Sequence, residues 1–171
     1  LASDQYTGAS EVRVVTDSFD VSIVGTGTNS TTVEVFGSKS VEARVVRRGD
    51  SVIVEAKERR ALFSRSAVTG RIRIQTFEGA DIHVENGSGN VDVRGFQGNA
   101  TSVRSASGSI VARAVFGEVR IDSASGNIKM ERLGGELDVN SSSGRIRLED
   151  GEGRVAISSS SGDIELSSVS G

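Results

Sequence analysis

The sequence predicts an all-β protein, a single-stranded parallel β-solenoid whose coils are eighteen residues long and carry two strands each. Three observations predict it. Glycines recur at fixed intervals, apolar and polar residues alternate with the period of a strand, and proline is absent from all 171 residues. Regular coils are expected over residues 70–171. Residues 1–69 are expected to form less regular β-strands that begin or cap the stack, the whole being one continuous domain.

The repeat is explicit. The pattern SxSGx(I/V)x(apolar) reads NGSGNVDV from Asn86, SASGSIVA from Ser105, SASGNIKM from Ser123, SSSGRIRL from Ser141 and SSSGDIEL from Ser159. Its glycines, Gly89, Gly108, Gly126, Gly144 and Gly162, are spaced 19, 18, 18 and 18. A second series lies midway at Gly98, Gly117, Gly135, Gly153 and Gly171 with the same spacings. Each coil therefore has two strands and two corners. Gly70 and Gly79 extend the pattern backwards. One extra residue in Gly79–Gly89 and one in Gly98–Gly108 predict a bulge or widened corner in each.

Alternation within each half gives a strand with one buried face. Stacking then aligns Ile110, Ile128, Ile146 and Ile164, flanked by Met130, Leu148 and Leu166. The other strand supplies Val119, Leu137 and Val155, then Val103, Ile121, Val139 and Ile157. Phe77, Phe96, Val115, Leu133 and Val169 are expected to form a corner ladder interrupted by Gly151. Two serine columns, Ser105/Ser123/Ser141/Ser159 and Ser107/Ser125/Ser143/Ser161, fit turn chemistry and hydroxyl bonding along the axis. Outward, Arg120 should stack on Asp138, Arg104 on Asp122 and Arg147 on Glu165, whereas Lys129 above Arg147 is a like-charge contact.

Residues 70–171 amount to between five and six coils, a rod about 27 Å long at ~4.8 Å per coil. Both ends of such a rod expose sheet edges. Alternating segments at Val12–Val15, Val21–Ile23, Val33–Val35, Val41–Val45 and Val52–Val54 can begin or cap one end. No comparable cap follows the last repeat, so the chain is expected to continue beyond Gly171 or to pair there with a partner.

Composition excludes several chemistries. Without cysteine there are no disulfides, thiolate nucleophiles or Cys-ligated zinc. No apolar run reaches the ~18 residues of a membrane span, and a chain starting at Leu1 is expected to be processed or trimmed. The net charge of −3 divides unevenly. Between Arg44 and Arg73 nine basic residues (Arg44, Arg47, Arg48, Lys57, Arg59, Arg60, Arg65, Arg71, Arg73) face Asp50, Glu55 and Glu58, giving +6 and leaving −9 elsewhere. No aromatic residues interleave with these charges as stacking platforms, which argues against nucleic acid.

Functional solenoids place distinctive residues at fixed offsets, and none of those patterns is met. Calcium-binding rolls need an Asp column where this chain has Ile128, Ile146 and Ile164. Hexapeptide acyltransferases need a six-residue apolar period and a catalytic histidine. The only histidine, His83, lies between inward Ile82 and Val84 and is expected to face solvent. Glycan-cleaving helices need converging carboxylates. Asp122, Asp138, Glu118 and Glu136 are neighbours in this register, but basic residues intervene. An ice-binding face needs a flat array, commonly of threonines, and these serines flank turns. The residues thus assign no catalytic, cofactor-binding or metal-binding position, and no ligand-binding residue is singled out.

On the repeats SASGNIKM, SSSGRIRL and SSSGDIEL, together with the preceding FDVSIVGTGTNSTTVEVFGSKS, the chain resembles the bacterial putative-adhesin family of unknown function. The resemblance covers most of the chain. It implies a noncatalytic module of the cell envelope or surface that binds a surface polymer or protein. The alternative is a structural module that assembles or docks through open coil ends, with a carbohydrate-active enzyme as a remote third reading.

Overall fold

The computed structural model describes residues 2–38, 41–59 and 70–171. Arg60 and Arg65 of the basic stretch lie outside them. Thirteen strands and no helix occur among the described residues. The first five are β1 (Ala2–Thr7), β2 (Glu11–Thr26), β3 (Ser30–Phe36), β4 (Val41–Arg48) and β5 (Ser51–Glu58). After them come β6 (Gly70–Phe77), β7 (Asp81–Ser88), β8 (Val91–Phe96) and β9 (Ala100–Ser105). The last four are β10 (Ile110–Ser123), β11 (Ile128–Ser143), β12 (Ile146–Ser161) and β13 (Ile164–Ser170).

The eighteen-residue register is the pairing register. Ile110 pairs with Ile128, Ile128 with Ile146, and Ile146 with Ile164, all in parallel. The change from nineteen to eighteen falls at one corner. Phe96 pairs with Val115, nineteen residues on, but Ala100 pairs with Glu118, eighteen on. Asn99 is therefore the extra residue, and Ala80 occupies the equivalent place one step earlier. Strands break across 78–80 and 97–99, whereas β10 runs continuously through Gly117. Both corners are widened, as the spacing predicts.

Two features depart from the expected stack. Residues 70–77 do not lie directly beneath residues 91–96, because β2 sits between them: Val21 and Ile23 pair with Ile72 and Ile74 on one side and with Val91 and Val93 on the other. The first half of β2 likewise lies between β5 and β7, with Val12 pairing to Val52 and Ile82. As a result, β2, β7, β9, β10 and β8 form a closed circuit of five paired strands, to which the others are added. The circuit closes because β2 and β10 each bend round a corner and pair along both arms. The second departure is Phe77, which does not join the corner ladder. Gly70, Ile72, Ile74 and Thr76 take the buried face of β6, and strict alternation then turns Phe77 outward, 39% exposed.

The remaining ladders are as expected through the body of the stack. Ile110, Ile128, Ile146, Met130, Leu148, Phe96, Val115, Leu133, Ile121 and Val139 are all buried in one continuous core. Coil stacking leaves no room for side chains at the glycine corner. Gly126 has φ 111°, and a Cβ there would lie 2.1 Å from the carbonyl oxygen of Gly108. Only glycine meets both constraints. Near the opposite corner, the equivalent left-handed position is Gly95 in one coil but Ala114, Arg132, Asp150 and Ser168 in later ones, with φ between 51° and 57°. No residue type marks this column in the sequence.

The two ends of the stack differ. At one, β3 lies antiparallel on β6 and β1 antiparallel on β3, while β4 lies antiparallel on β5. Val33 and Val35 are buried opposite Ile74 and Ile72, so this end is capped. At the other, β13 and the second half of β12 have neighbours on one side only.

Candidate functional site

The inner serine column sets the shape of one corner. Ser105, Ser123 and Ser141 are buried, and each hydroxyl donates to the carbonyl two residues on: to Ser107 at 3.0 Å, Ser125 at 3.1 Å and Ser143 at 2.9 Å. Ser125 and Ser143 donate instead along the stack, to the carbonyls of Ala106 at 3.2 Å and Ala124 at 3.4 Å. The hydroxyls thus serve turn carbonyls rather than turn amides. The amides of the next positions are met by side chains: Asn90 Oδ1 accepts from the Ser109 N–H, and Asn127 Oδ1 from the Arg145 N–H, both at 3.1 Å. These serines are consumed by turn structure.

Because each inner serine points into the core, the residues before and after it stand apart and leave a groove between them. On one wall lie Glu85, Arg104, Asp122, Asn140 and Ser158, each paired in register with the next. The other wall carries the small residues Gly87, Ala106, Ala124, Ser142 and Ser160. The groove has a volume of about 720 Å³ and runs across the strands from Thr16 and Asp17 of β2 to Ser160 of β12. Five strand-to-strand steps make it roughly 24 Å long. Sequence reasoning recognised the serines but not the groove they create, since depth depends on the small residue beyond each serine.

Mid-groove, Arg104 meets Asp122 as expected, whereas Arg120, although paired in register with Asp138, bonds Asp122 on its own strand. Asp122 lies 3.5 Å from Arg104 and 3.1 Å from Arg120, and accepts from Asn140 at 3.3 Å. Asn140 also donates to Asp138 at 3.2 Å. The hydrogen bond to Asp122, and then its charge, push the Arg120 guanidinium above its ordinary value. Elsewhere, some charges pair across strands, as Arg113 does with Glu131 at 3.0 Å, and others along one strand. Lys129 meets Glu131 at 2.8 Å and Arg147 meets Glu149 at 2.6 Å, which relieves the like-charge contact between Lys129 and Arg147. Glu165 pairs in register with Arg147, as expected, but its carboxylate lies 3.8 Å from Arg145.

The four carboxylates weighed for glycan cleavage do not share one environment. Asp122 and Asp138 belong to the hydrogen-bonded cluster, whereas Glu118 and Glu136 stand exposed beside each other, with Arg154 3.7 Å from Glu136. His83 projects from the outer face and approaches Glu11 at 3.8 Å. Among the described residues, no group of three or more His, Asp and Glu is placed to hold a metal ion, and no helix is long and apolar enough to cross a membrane.

A second candidate surface is the uncovered end. Ile164, Leu166 and Val169 are 42%, 54% and 39% exposed, although Ile146 and Leu148, one coil back, are fully buried. Ser159 repeats the inner serine position there, and its buried hydroxyl has no hydrogen-bond partner.

Comparison with known proteins is consistent with this architecture. A solved structure of a putative cell adhesion protein from Clostridium sporogenes superposes with a TM-score of 0.57 over 97% of this chain and 98% of its own, at 11% identity. That likeness shows a shared fold. No curated protein matches the sequence. The family model described as Toastrack DUF4097 matches residues 9–170, from the loop before β2 to the end of β13, and the chain therefore belongs to that family.

Proposed function

We propose that the protein is a noncatalytic binding module of the cell envelope or surface. In this reading it is a β-solenoid that holds an extended polymer in the groove beside its serine corner. The observation that carries the proposal is the groove's continuity: polar side chains repeat along it at the strand spacing, in register over five strands. A ligand with repeating polar groups can meet such a row many times. Asp17, Glu85 and Asp122 outnumber Arg104 there, three acids to one base, which favours a neutral or cationic polymer over an anionic one. The structural neighbour's description as a putative cell adhesion protein supports a surface role. A noncatalytic reading is supported by the pairing of Asp122 with Arg104, Arg120 and Asn140.

Arginine at two groove-wall positions tests this reading. Ala124 and Ser142 are exposed, so Ala124→Arg with Ser142→Arg fills the groove without touching the core. Co-sedimentation with insoluble envelope polysaccharide and with immobilised surface protein should show binding by the native chain and at least a tenfold loss in the double variant, with an unchanged melting temperature. Equal binding by both proteins would place the ligand elsewhere.

A further inference from the structure

Two aromatic side chains in the body of the stack are exposed, Phe77 at 39% and Phe116 at 42%. Both stand at the corner opposite the serines, and each lies across a glycine. A Cβ on Gly79 would come 2.5 Å from Phe77 Cε1, and one on Gly134 would come 2.7 Å from Phe116 Cδ1. Neither glycine has a positive φ, so the backbone does not demand glycine at these places. The rings do. A side chain at either glycine would displace the phenyl group that rests on it, and the side of each ring turned away from its glycine is open to solvent.

The two rings belong to one surface. Because β6, β2, β8 and β10 are successive neighbours, Phe77 and Phe116 are three strand steps apart, roughly 14 Å. Between them the corner is polar. The Gln97 N–H donates to the Glu78 carbonyl at 2.8 Å, which stacks Gln97 on Glu78. Phe116 follows Val115, the register partner of Phe96, and so stands beside Gln97. On its other side Phe116 pairs with Gly134, and Gly134 with Glu152. Among the described residues, neither the Glu78 nor the Glu152 carboxylate has an ion-pair partner. Two flat apolar faces are thus rimmed by side chains that accept hydrogen bonds. That pattern selects the occupant. An apolar peptide segment would cover the rings but leave the carboxylates without donors, and an anionic polymer would be repelled by them. A small cation would need the rings close enough to enclose it, and they are too far apart. A neutral sugar chain meets both demands: the C–H groups of a pyranose lie against the electron-rich ring face, while its hydroxyls donate to the rim.

We propose that the corner carrying Phe77 and Phe116 is a second binding site, for a neutral polysaccharide. Each ring stacks on one sugar of the same chain, and Glu78, Gln97 and Glu152 accept from its hydroxyls. The site is separate from the groove at the serine corner and does not depend on it.

Affinity electrophoresis of the 171-residue chain through gels holding hydroxyethylcellulose or glycol chitin, with polygalacturonate as the anionic control, tests the proposal. The expected result is retardation by at least one of the two neutral polymers and none by polygalacturonate. Phe77→Leu with Phe116→Leu keeps apolar cover over both glycines but removes the ring faces. It should weaken the retardation at least about tenfold, with little change in melting temperature. Phe116→Trp should keep it, and because the sequence has no tryptophan of its own, the emission of the new indole should shift when the polymer is added. In the chain whose groove is filled by Ala124→Arg and Ser142→Arg, retardation should persist and should disappear when the leucine pair is added, which separates this site from the groove. Absence of retardation by both neutral polymers, or retardation by polygalacturonate, would overturn the proposal. So would undiminished retardation of the leucine pair, or loss of all retardation on filling the groove.

Discussion

The first and last coils of this protein carry the same kind of alternating apolar strand, yet they have different fates. At the capped end, Ile72 and Ile74 are fully buried because β3 lies across them. At the open end, Ile164 and Leu166 repeat residues that are fully buried one coil back and are themselves about half exposed. Burial here is a property of the next layer, not of the residue. In a quasi-one-dimensional stack each coil is stabilised by its neighbours, so position along the axis sets what a side chain contributes.

The glycine corner gives the largest test of that comparison. Gly126 lies mid-stack and Gly162 in the last coil, and a Cβ at either would come 2.1 Å from the glycine carbonyl oxygen of the preceding coil. Gly126→Ala should cost roughly 3 kcal/mol, through positive φ and the backbone clash together. Gly162→Ala should cost about 1 kcal/mol, because the last coil can separate locally instead of unfolding the stack. Urea unfolding of the dilute proteins measures both, and equal losses would remove the distinction between middle and end.

The isoleucine ladder comes next. Ile128→Ala should cost about 3 kcal/mol, as a fully buried truncation does, whereas Ile164→Ala should cost less than about 1 kcal/mol. The same urea titrations decide it. A large loss at Ile164 in dilute solution would mean that this residue is covered within the monomer.

The smallest contrast lies in the serine column. Ser141 donates to the Ser143 carbonyl at 2.9 Å, whereas the Ser159 hydroxyl is buried without a partner. Removing a made hydrogen bond should cost about 1 kcal/mol, and removing an unmade one should be neutral or slightly stabilising. Thermal unfolding of Ser141→Ala and Ser159→Ala should therefore shift in unequal amounts. Matching shifts would indicate that Ser159 finds a partner in solution.

How much of this was legible in the sequence depended on whether a residue type carried the signal. The register from Gly108 to Gly162 and from Ile110 to Ile164 was legible because stacking demands the same residue at the same place in each coil. The insertions at Ala80 and Asn99 were legible as breaks in that count. The place of β2 was not: Val12, Val52 and Ile82 are interchangeable in a parallel ladder, and nothing in their spacing says which lies beside which. Phe77 was misplaced by its bulk, although the alternation of Gly70, Ile72, Ile74 and Thr76 already turned it outward. The left-handed column at Ala114, Arg132, Asp150 and Ser168 follows from coil geometry and uses four different residue types. The groove was hidden for a related reason. Serines read as turn residues are turn residues, and the cleft is the space that their inward orientation leaves beside them.

Amide hydrogen exchange, strand by strand, tests the central claim most directly. In dilute solution, protection should be high in β10 and β11, fall along β12 and be lowest in β13, despite the near-identity of their repeats. Protection of β13 equal to that of β11 at the same dilution would contradict the account, because the last coil would then be covered without a neighbouring layer.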